Sequence, residues 1–213
     1  MRLQKSDIYI IGAGGHATVV LDALLKMGVK PKGIFDDDKS LWNKEIFGIK
    51  ILGKVELAKS VQGRFVVAIG DNKTRKDIVN FLNFPDETFI SVIHPSSVIG
   101  RDVEIGAGSM IIGGAVINSK TKIGRHVIIN TSVSIDHHNV VGDFVHIAPG
   151  SHTGGNVKIG EGSFLGIGVS VIPKVKIGRW SIVGAGSVII EDIPDFVTVV
   201  GVPGRVIKRR KRE

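Results

Sequence analysis

From Ile93 to Ile189 an aliphatic side chain recurs at every sixth residue: Ile99, Ile105, Ile111, Ile117, Ile123, Ile129, Ile135, Val141, Ile147, then Ile159, Leu165, Val171, Ile177, Val183 and Ile189, with Thr153 the one break. Four residues beyond these positions a small or β-branched residue returns (Val103, Ser109, Ala115, Thr121, Val127, Val133) until Asn139 interrupts the series. Glycine often follows the aliphatic residue directly, as at Gly100, Gly106, Gly124, Gly142, Gly160, Gly166, Gly178 and Gly184. A helix would rotate a period of six around its whole surface. A parallel β-helix keeps it, each hexapeptide being one short strand with its aliphatic residue inward and one corner eased by small residues. Three hexapeptides make a triangular coil, so the array predicts about five coils spaced ~4.8 Å apart. Counting eighteen residues per coil places Gly155 directly over His137 and sets Asn139 and Thr153 on the same face of adjacent coils.

Ahead of the array the pattern is that of an α/β unit. Asp7 to Ile11 reads as a buried strand, Gly12-Ala13-Gly14-Gly15-His16-Ala17 as a glycine turn, and Val19 to Met27 as an apolar-periodic helix. A G-x-G-x-x-A turn between strand and helix lets backbone amides approach a phosphate. Lys32 to Phe35 is a second strand ending in Asp36-Asp37-Asp38, where an acidic residue about twenty positions past the turn suits a ribose hydroxyl, as in NAD sites. Phe65 to Ile69 is a further strand, Gly70-Asp71-Asn72 a turn, Thr74 to Leu82 a helix, and Thr88 to Val92 the last strand before His94-Pro95. This is one βαβ-type half where a dinucleotide fold needs two, so a mononucleotide or nucleotide sugar fits better. The expected division is a Rossmann-like α/β half-domain at 1–92, the β-helix at 93–190, and a C-terminal segment with a basic tail at 191–213.

Composition narrows the functional classes. The chain has no cysteine, which excludes disulfides and thiolate chemistry and suits a reducing cytoplasm. No apolar run reaches the length of a membrane span, and Asp7 interrupts any signal-peptide pattern, so a soluble cytoplasmic protein is expected. The net charge of +8 raises the question of nucleic acid, but five basic residues stand together in Lys208, Arg209, Arg210, Lys211 and Arg212, before Glu213, and aromatics are only 6%. A solvated tail, with a possible role near phosphates, is expected in place of nucleic-acid binding.

The array resembles the hexapeptide-repeat acyltransferases, which fold as left-handed parallel β-helices. That resemblance implies the left hand, a homotrimer, and acetyl-coenzyme A in the groove between neighbouring subunits. With the N-terminal unit, the chain resembles bacterial acetyltransferases of nucleotide-linked 4-amino-4,6-dideoxy sugars and the related sialic-acid O-acetyltransferases. The residues that carry this are Ile11-Gly12-Ala13-Gly14-Gly15-His16, Asp36-Asp37, Ala68-Ile69-Gly70-Asp71-Asn72 with Arg75, Ile129-Asn130-Thr131, Asp136-His137 and Gly201-Val202-Pro203. The implied activity is acetyl transfer from acetyl-coenzyme A to the sugar amine. O-acetylation of a sugar or sialic acid, or non-catalytic binding of a nucleotide sugar or NAD, are the alternatives.

The resemblance also assigns residues. Gly12, Gly14, Gly15, His16, Asp36, Asp37, Gly70, Asn72 and Arg75 would hold the nucleotide sugar. His146, Gly155, Gly166, Gly184, Gly201 and Pro203 would hold acetyl-coenzyme A, with His146 near the thioester carbonyl. Position 167, counted beside Gly166 as a further glycine of this series, receives no role. Acetyl transfer needs a base for the acceptor's proton, and histidine suits neutral pH. Among seven histidines, His137 matches the catalytic position and lies beneath Gly155, which leaves room for a thioester. Where the family places an acid directly after this histidine, the chain has His138, so Asp136, Asp143 or a backbone carbonyl is expected to orient the ring. Strand alternation would let only one of His137 and His138 face the groove. The γ-class carbonic anhydrases share the architecture but pair two zinc-binding histidines five residues apart, a spacing no pair here has, so no metal is expected.

Overall fold

The computed structural model describes residues 7–211; Arg212 and Glu213 of the basic tail lie outside the described residues. The N-terminal unit is a five-stranded sheet in the order β3-β4-β2-β1-β5. Its strands are β1 (Ile8–Ile11), β2 (Gly33–Phe35), β3 (Glu45–Ile46), β4 (Ile49–Gly53) and β5 (Arg64–Val67). Parallel β1 pairs with both β2 and β5, so its side chains are covered on both faces and Ile8, Ile10 and Ile11 are buried. Helix α1 (Gly15–Lys26) leaves β1 through the glycine turn, and α2 (Asn72–Leu82) follows β5. Helix α1 opens at the glycines, four residues before the apolar stripe that predicts it. Asp71 caps α2, its Oδ1 accepting from the Thr74 amide at 2.8 Å, and Asn83 ends it in the left-handed conformation at φ 52°.

Two elements differ from expectation. The hairpin of β3 and β4 supplies the sheet edge, and its burial alternation in β4 is hidden in sequence by the short, lysine-broken run Ile49-Lys50-Ile51-Leu52. The strand expected over Thr88 to Val92 does not form. Asp86–Thr88 is a 3₁₀ turn, Phe89 makes a single bridge to Phe65, and Val92–Ile93 already pairs with Met110–Ile111 of the next coil.

The array is a left-handed parallel β-helix with three faces. The first face holds the strands beginning at Val92, Met110, Ile128, His146, Phe164 and Ile182, the second those at Val98, Val116, Ser134, His152, Ser170 and Val188, and the third those at Glu104, Lys122, Val140, Lys158 and Lys176. Each strand is two residues long and pairs with the strand eighteen residues away, as Ser134 with His152 and Ile135 with Thr153. The second residue points inward, which makes the six-residue series one continuous buried core from Ile111 to Ile189. Glycines after these residues are required by coil stacking. A Cβ on Gly106 would stand 2.6 Å from the backbone of Gly124 in the next coil. The two breaks meet at one corner and do not share a flat face. Thr153 sits in a second-face strand, while Asn139 lies in the corner after that face and donates to Gly154 O at 2.9 Å.

The first face continues through Val197–Val200, against which Arg205–Arg209 pairs antiparallel. The tail is therefore exposed but structured through Arg209, and Arg210 fastens its end by donating to Phe196 O and Trp180 O. A basic edge strand of this kind repels further strand pairing.

The two units share a core in which Val92, Met110, Ile112 and Ile128 of the β-helix pack with Ile90 and with α1, β1, β2, β4 and β5 residues. The N-terminal unit therefore stands on the first face.

Candidate active site

Three groups of the expected residues come together separately. The first lines a cleft of about 510 Å³ in the N-terminal unit, bounded by Gly12, Gly14, Gly15, His16, Asp36, Asp37 and Gly70, with Val55, Ala68, Ile69, Thr74 and Ile78. Gly12 has φ +101° and a Cβ there would press on Ile69 and Ala68 at 3.0–3.2 Å, so the turn needs glycine. Gly14 and Gly15 have open space above them, and Gly14 caps α1 without a side chain, so the first amides of the helix face the cleft. Asp36 serves the turn itself, its two oxygens accepting from Ala13 N at 2.7 Å and Asp38 N at 2.8 Å. Asp37 accepts from Val55 N through Oδ1 and leaves Oδ2 to the cleft.

His146 is buried behind two residues that line this cleft, His16 and Gly70. It stands on the first face with its ring 6.1 Å from that of His16. Asn130 Oδ1 accepts from Thr131 N, so its amide nitrogen must donate to His146 Nε2 at 3.1 Å. His146 therefore carries its proton on Nδ1, which donates to Gly70 O at 3.1 Å, and has no free donor for a carbonyl.

The second group is His137, His138, Asp136 and Gly155, at the corner between the second and third faces. This edge is opposite the first face, so within one chain it is turned away from the cleft. His137 and His138 are exposed. A Cβ on Gly155 would stand 2.6 Å from His137 Cε1 and 2.7 Å from Nε2, so glycine is what allows the ring to lie there. Asn139 braces the corner by donating to Asp136 O at 2.8 Å and Gly154 O at 2.9 Å. Asp136 is held below the usual carboxylate range by the His137 amide and the Asn118 side chain, which both donate to Oδ1. Neither Asp136 nor Asp143 reaches the His137 ring, Asp143 being engaged by Arg125. The expected exclusion of one histidine by strand alternation does not hold. His138 has φ +57°, and that left-handed corner brings the two rings into contact.

The third group, Gly166, Gly184, Gly201 and Pro203, lies at the corner between the first and second faces, where Gly166 and Gly184 admit the next coil's Ala185 and Val200. Position 167 is corrected here: the residue is not glycine but Ile167, and its side chain is 62% exposed at this corner. Its backbone serves coil stacking, Ile167 O accepting from Gly186 N at 2.8 Å, and the glycine that takes the left-handed turn is Gly168 at φ +69°.

Asn72 and Arg75 are corrected from ligand binding to joining the two units. Arg75 is fully buried, and its guanidinium donates to Ile69 O, Gly70 O, Asn72 Oδ1, His126 O and Phe144 O. Asn72 donates to Gly162 O and Ser163 O. Burial lowers the guanidinium to about 9, with Asp71 opposing, so it remains charged at neutral pH.

Burial also lowers His16, His126 and His146 to about 4, with nearby positive charge from Arg75 adding to it in each case. His126 is 1% exposed between Phe89 and Phe144, and neither ring nitrogen has a partner among the described residues. Below pH 6.5 the unfolded chain takes up protons that the folded chain refuses. Stability should thus be full above pH 6.5 and fall toward pH 4, by about 3 kcal/mol for His126 alone. Urea midpoints between pH 7 and 4.5 should decline, and His126→Leu should flatten the decline; an unchanged slope in that variant would remove His126 from the account.

Residues 7–82 match the PglD N-terminal domain family and residues 156–191 the bacterial transferase hexapeptide family (six repeats). A histidine mutant of perosamine N-acetyltransferase from Caulobacter crescentus, in complex with CoA and GDP-perosamine, is 35% identical, with a TM-score of 0.88 over 98% of this chain and 100% of that one. The acetyltransferase domain of PglB from Neisseria gonorrhoeae, in complex with acetyl coenzyme A, is 32% identical, with a TM-score of 0.87 over 96% and 100%. UDP-N-acetylbacillosamine N-acetyltransferase of Bacillus subtilis is 37% identical over 50% of this chain and 51% of its own length, so the match spans about half of that curated relative. An uncharacterised protein of Acanthamoeba polyphaga mimivirus is 35% identical over 49% of this chain and 22% of its own length.

Proposed function

Because the chain belongs to the hexapeptide-repeat sugar acetyltransferases with a PglD-type N-terminal domain, we propose that it moves acetyl from acetyl-coenzyme A to the amine of a nucleotide-linked amino-dideoxy sugar. The observation that carries this reading is the exposed His137 ring beneath Gly155. His137 takes the amine proton as the new C–N bond forms. The Gly155 N–H, which donates to no acceptor among the described residues, is the donor we assign to the oxyanion. Residues 1–92 hold the nucleotide sugar, with the α1 amides on its phosphates and Asp37 on a hydroxyl; 93–190 carry the chemistry, and 191–213 border the coenzyme.

The position of His137 supports a homotrimer. His137 stands at the edge opposite the face that carries the cleft and His146, so a complete site needs a neighbour's cleft against this edge. His146, Gly166, Gly184, Gly201 and Pro203 then lie on the neighbour's side of the coenzyme groove. The proposed setting is the cytoplasm, where acetyl-coenzyme A is made.

Incubation with acetyl-coenzyme A and 4-amino-4,6-dideoxy sugars carried on UDP, GDP or dTDP should release free thiol and give one N-acetylated product, from a species that light scattering reports as a trimer. Binding without transfer would leave a binding protein, and turnover by a monomer would sink the shared site. Asp37→Ala should raise KM for the nucleotide sugar about tenfold or more and leave KM for acetyl-coenzyme A unchanged. A parallel loss of both would remove Asp37 from the sugar site.

A further inference from the structure

The two imidazoles at the second corner meet through like atoms. Nδ1 of His137 lies 2.9 Å from Nδ1 of His138, with the rings nearly perpendicular at 87°. Two such nitrogens at this distance share one proton, so one ring donates and the other accepts. Among the described residues no other hydrogen bond reaches either ring. Asp136 is engaged by the His137 amide and Asn118, and Asn139 by backbone carbonyls.

We infer that His138 is the positioning residue of His137: its neutral Nδ1 accepts the His137 Nδ1–H and so presents the His137 lone pair at Nε2, the edge that lies against Gly155. This rests on the reading of His137 as the base. The corner itself sets the contact, because His138 occupies the left-handed position that Asp102, Lys120, Asn156 and Lys174 occupy in the other coils. In the transfer, Nε2 takes a proton from the amine as its nitrogen bonds the acetyl carbon. The C–S bond breaks, and the proton passes on to the departing thiolate. While His137 carries both protons, its Nδ1–H bond to His138 is charge-assisted and holds the cation in place.

The pair has a built-in off state. If His138 is protonated on both nitrogens it must donate from Nδ1, which forces the His137 proton onto Nε2 and removes the base. One proton therefore silences the pair whichever ring receives it. The charged groups along this corner are Asp136 beside the pair, Lys120 one coil before with Arg101 and Asp102 a coil further, and Lys174 in the coil beyond Asn156, so Asp136 is the anion in the pair's own coil.

The test combines kinetics with a spectroscopic readout. His138→Ala should lower kcat about tenfold with both KM values held, and His138→Asn, whose amide oxygen accepts without titrating, should restore most of it. His138→Glu, whose carboxylate also accepts from the His137 Nδ1–H, should likewise recover turnover lost in His138→Ala. Long-range ¹H–¹⁵N spectra of the ligand-free protein should show His137 as the Nδ1–H tautomer, lost to a mixture in His138→Ala. An Nε2–H tautomer in the wild type, or an Asn variant no better than Ala, would overturn the assignment. The spectra decide the His138 contact even if no sugar is acetylated, so failure of the proposed activity is seen separately.

Discussion

His137→Ala should lower kcat by roughly 10²- to 10⁴-fold, the range for loss of a positioned base, with KM for both substrates little changed. The ring is exposed and its hydrogen bond is to another exposed side chain, so the variant should melt with the wild type. That separation between chemistry and stability is what a structural histidine would not give. His126 is the contrast: buried between Phe89 and Phe144 with Arg75 on its carbonyl, its replacement should move stability first. Near-normal turnover of His137→Ala together with a dead His138→Ala would transfer the base to His138.

Much of this is legible because a solenoid makes sequence separation into distance. With a period of six, eighteen residues become one coil, and the contact of His137 with Gly155 follows by counting. The same count gives the face, and His146, nine residues or half a coil after His137, lies across the prism from it. It does not show what a corner does to neighbouring side chains. Strand alternation separates His137 from His138, and a single positive φ reunites them. In the N-terminal unit the glycine turn announces α1 and the cleft, whereas β4 carries too weak a pattern to be seen. Motif alone places Arg75 at the ligand, because a polar residue beside a glycine turn reads as functional. The competing demand is backbone: the corner carbonyls of His126 and Phe144 point at α2, where an apolar side chain would have left them without donors.

Removal of that side chain should produce the largest loss of stability in the chain. Arg75→Met keeps apolar volume but strips donors from four backbone carbonyls and from Asn72 Oδ1, at a site with no exposure. Loss of one partner from a buried charged network costs about 3–5 kcal/mol, and at ~2–4 °C per kcal/mol for a chain of this size the melting temperature should fall by roughly 10 °C or more. Arg75→Lys should recover little, since a single ammonium cannot reach acceptors that the planar fork serves on several sides. An exposed pair gives the control: removing the Lys73 and Asp77 pair, half-exposed on the same helix, should cost under ~1 kcal/mol. Because Arg75 holds Gly70 O and the inner wall of the cleft to the β-helix corners, Arg75→Lys should also raise KM for the nucleotide sugar. An Arg75→Met protein within ~1 kcal/mol of wild type in urea would mean that the two units are held by their shared apolar core alone, with Met110, Ile112 and Ile128 sufficient to seat the N-terminal sheet.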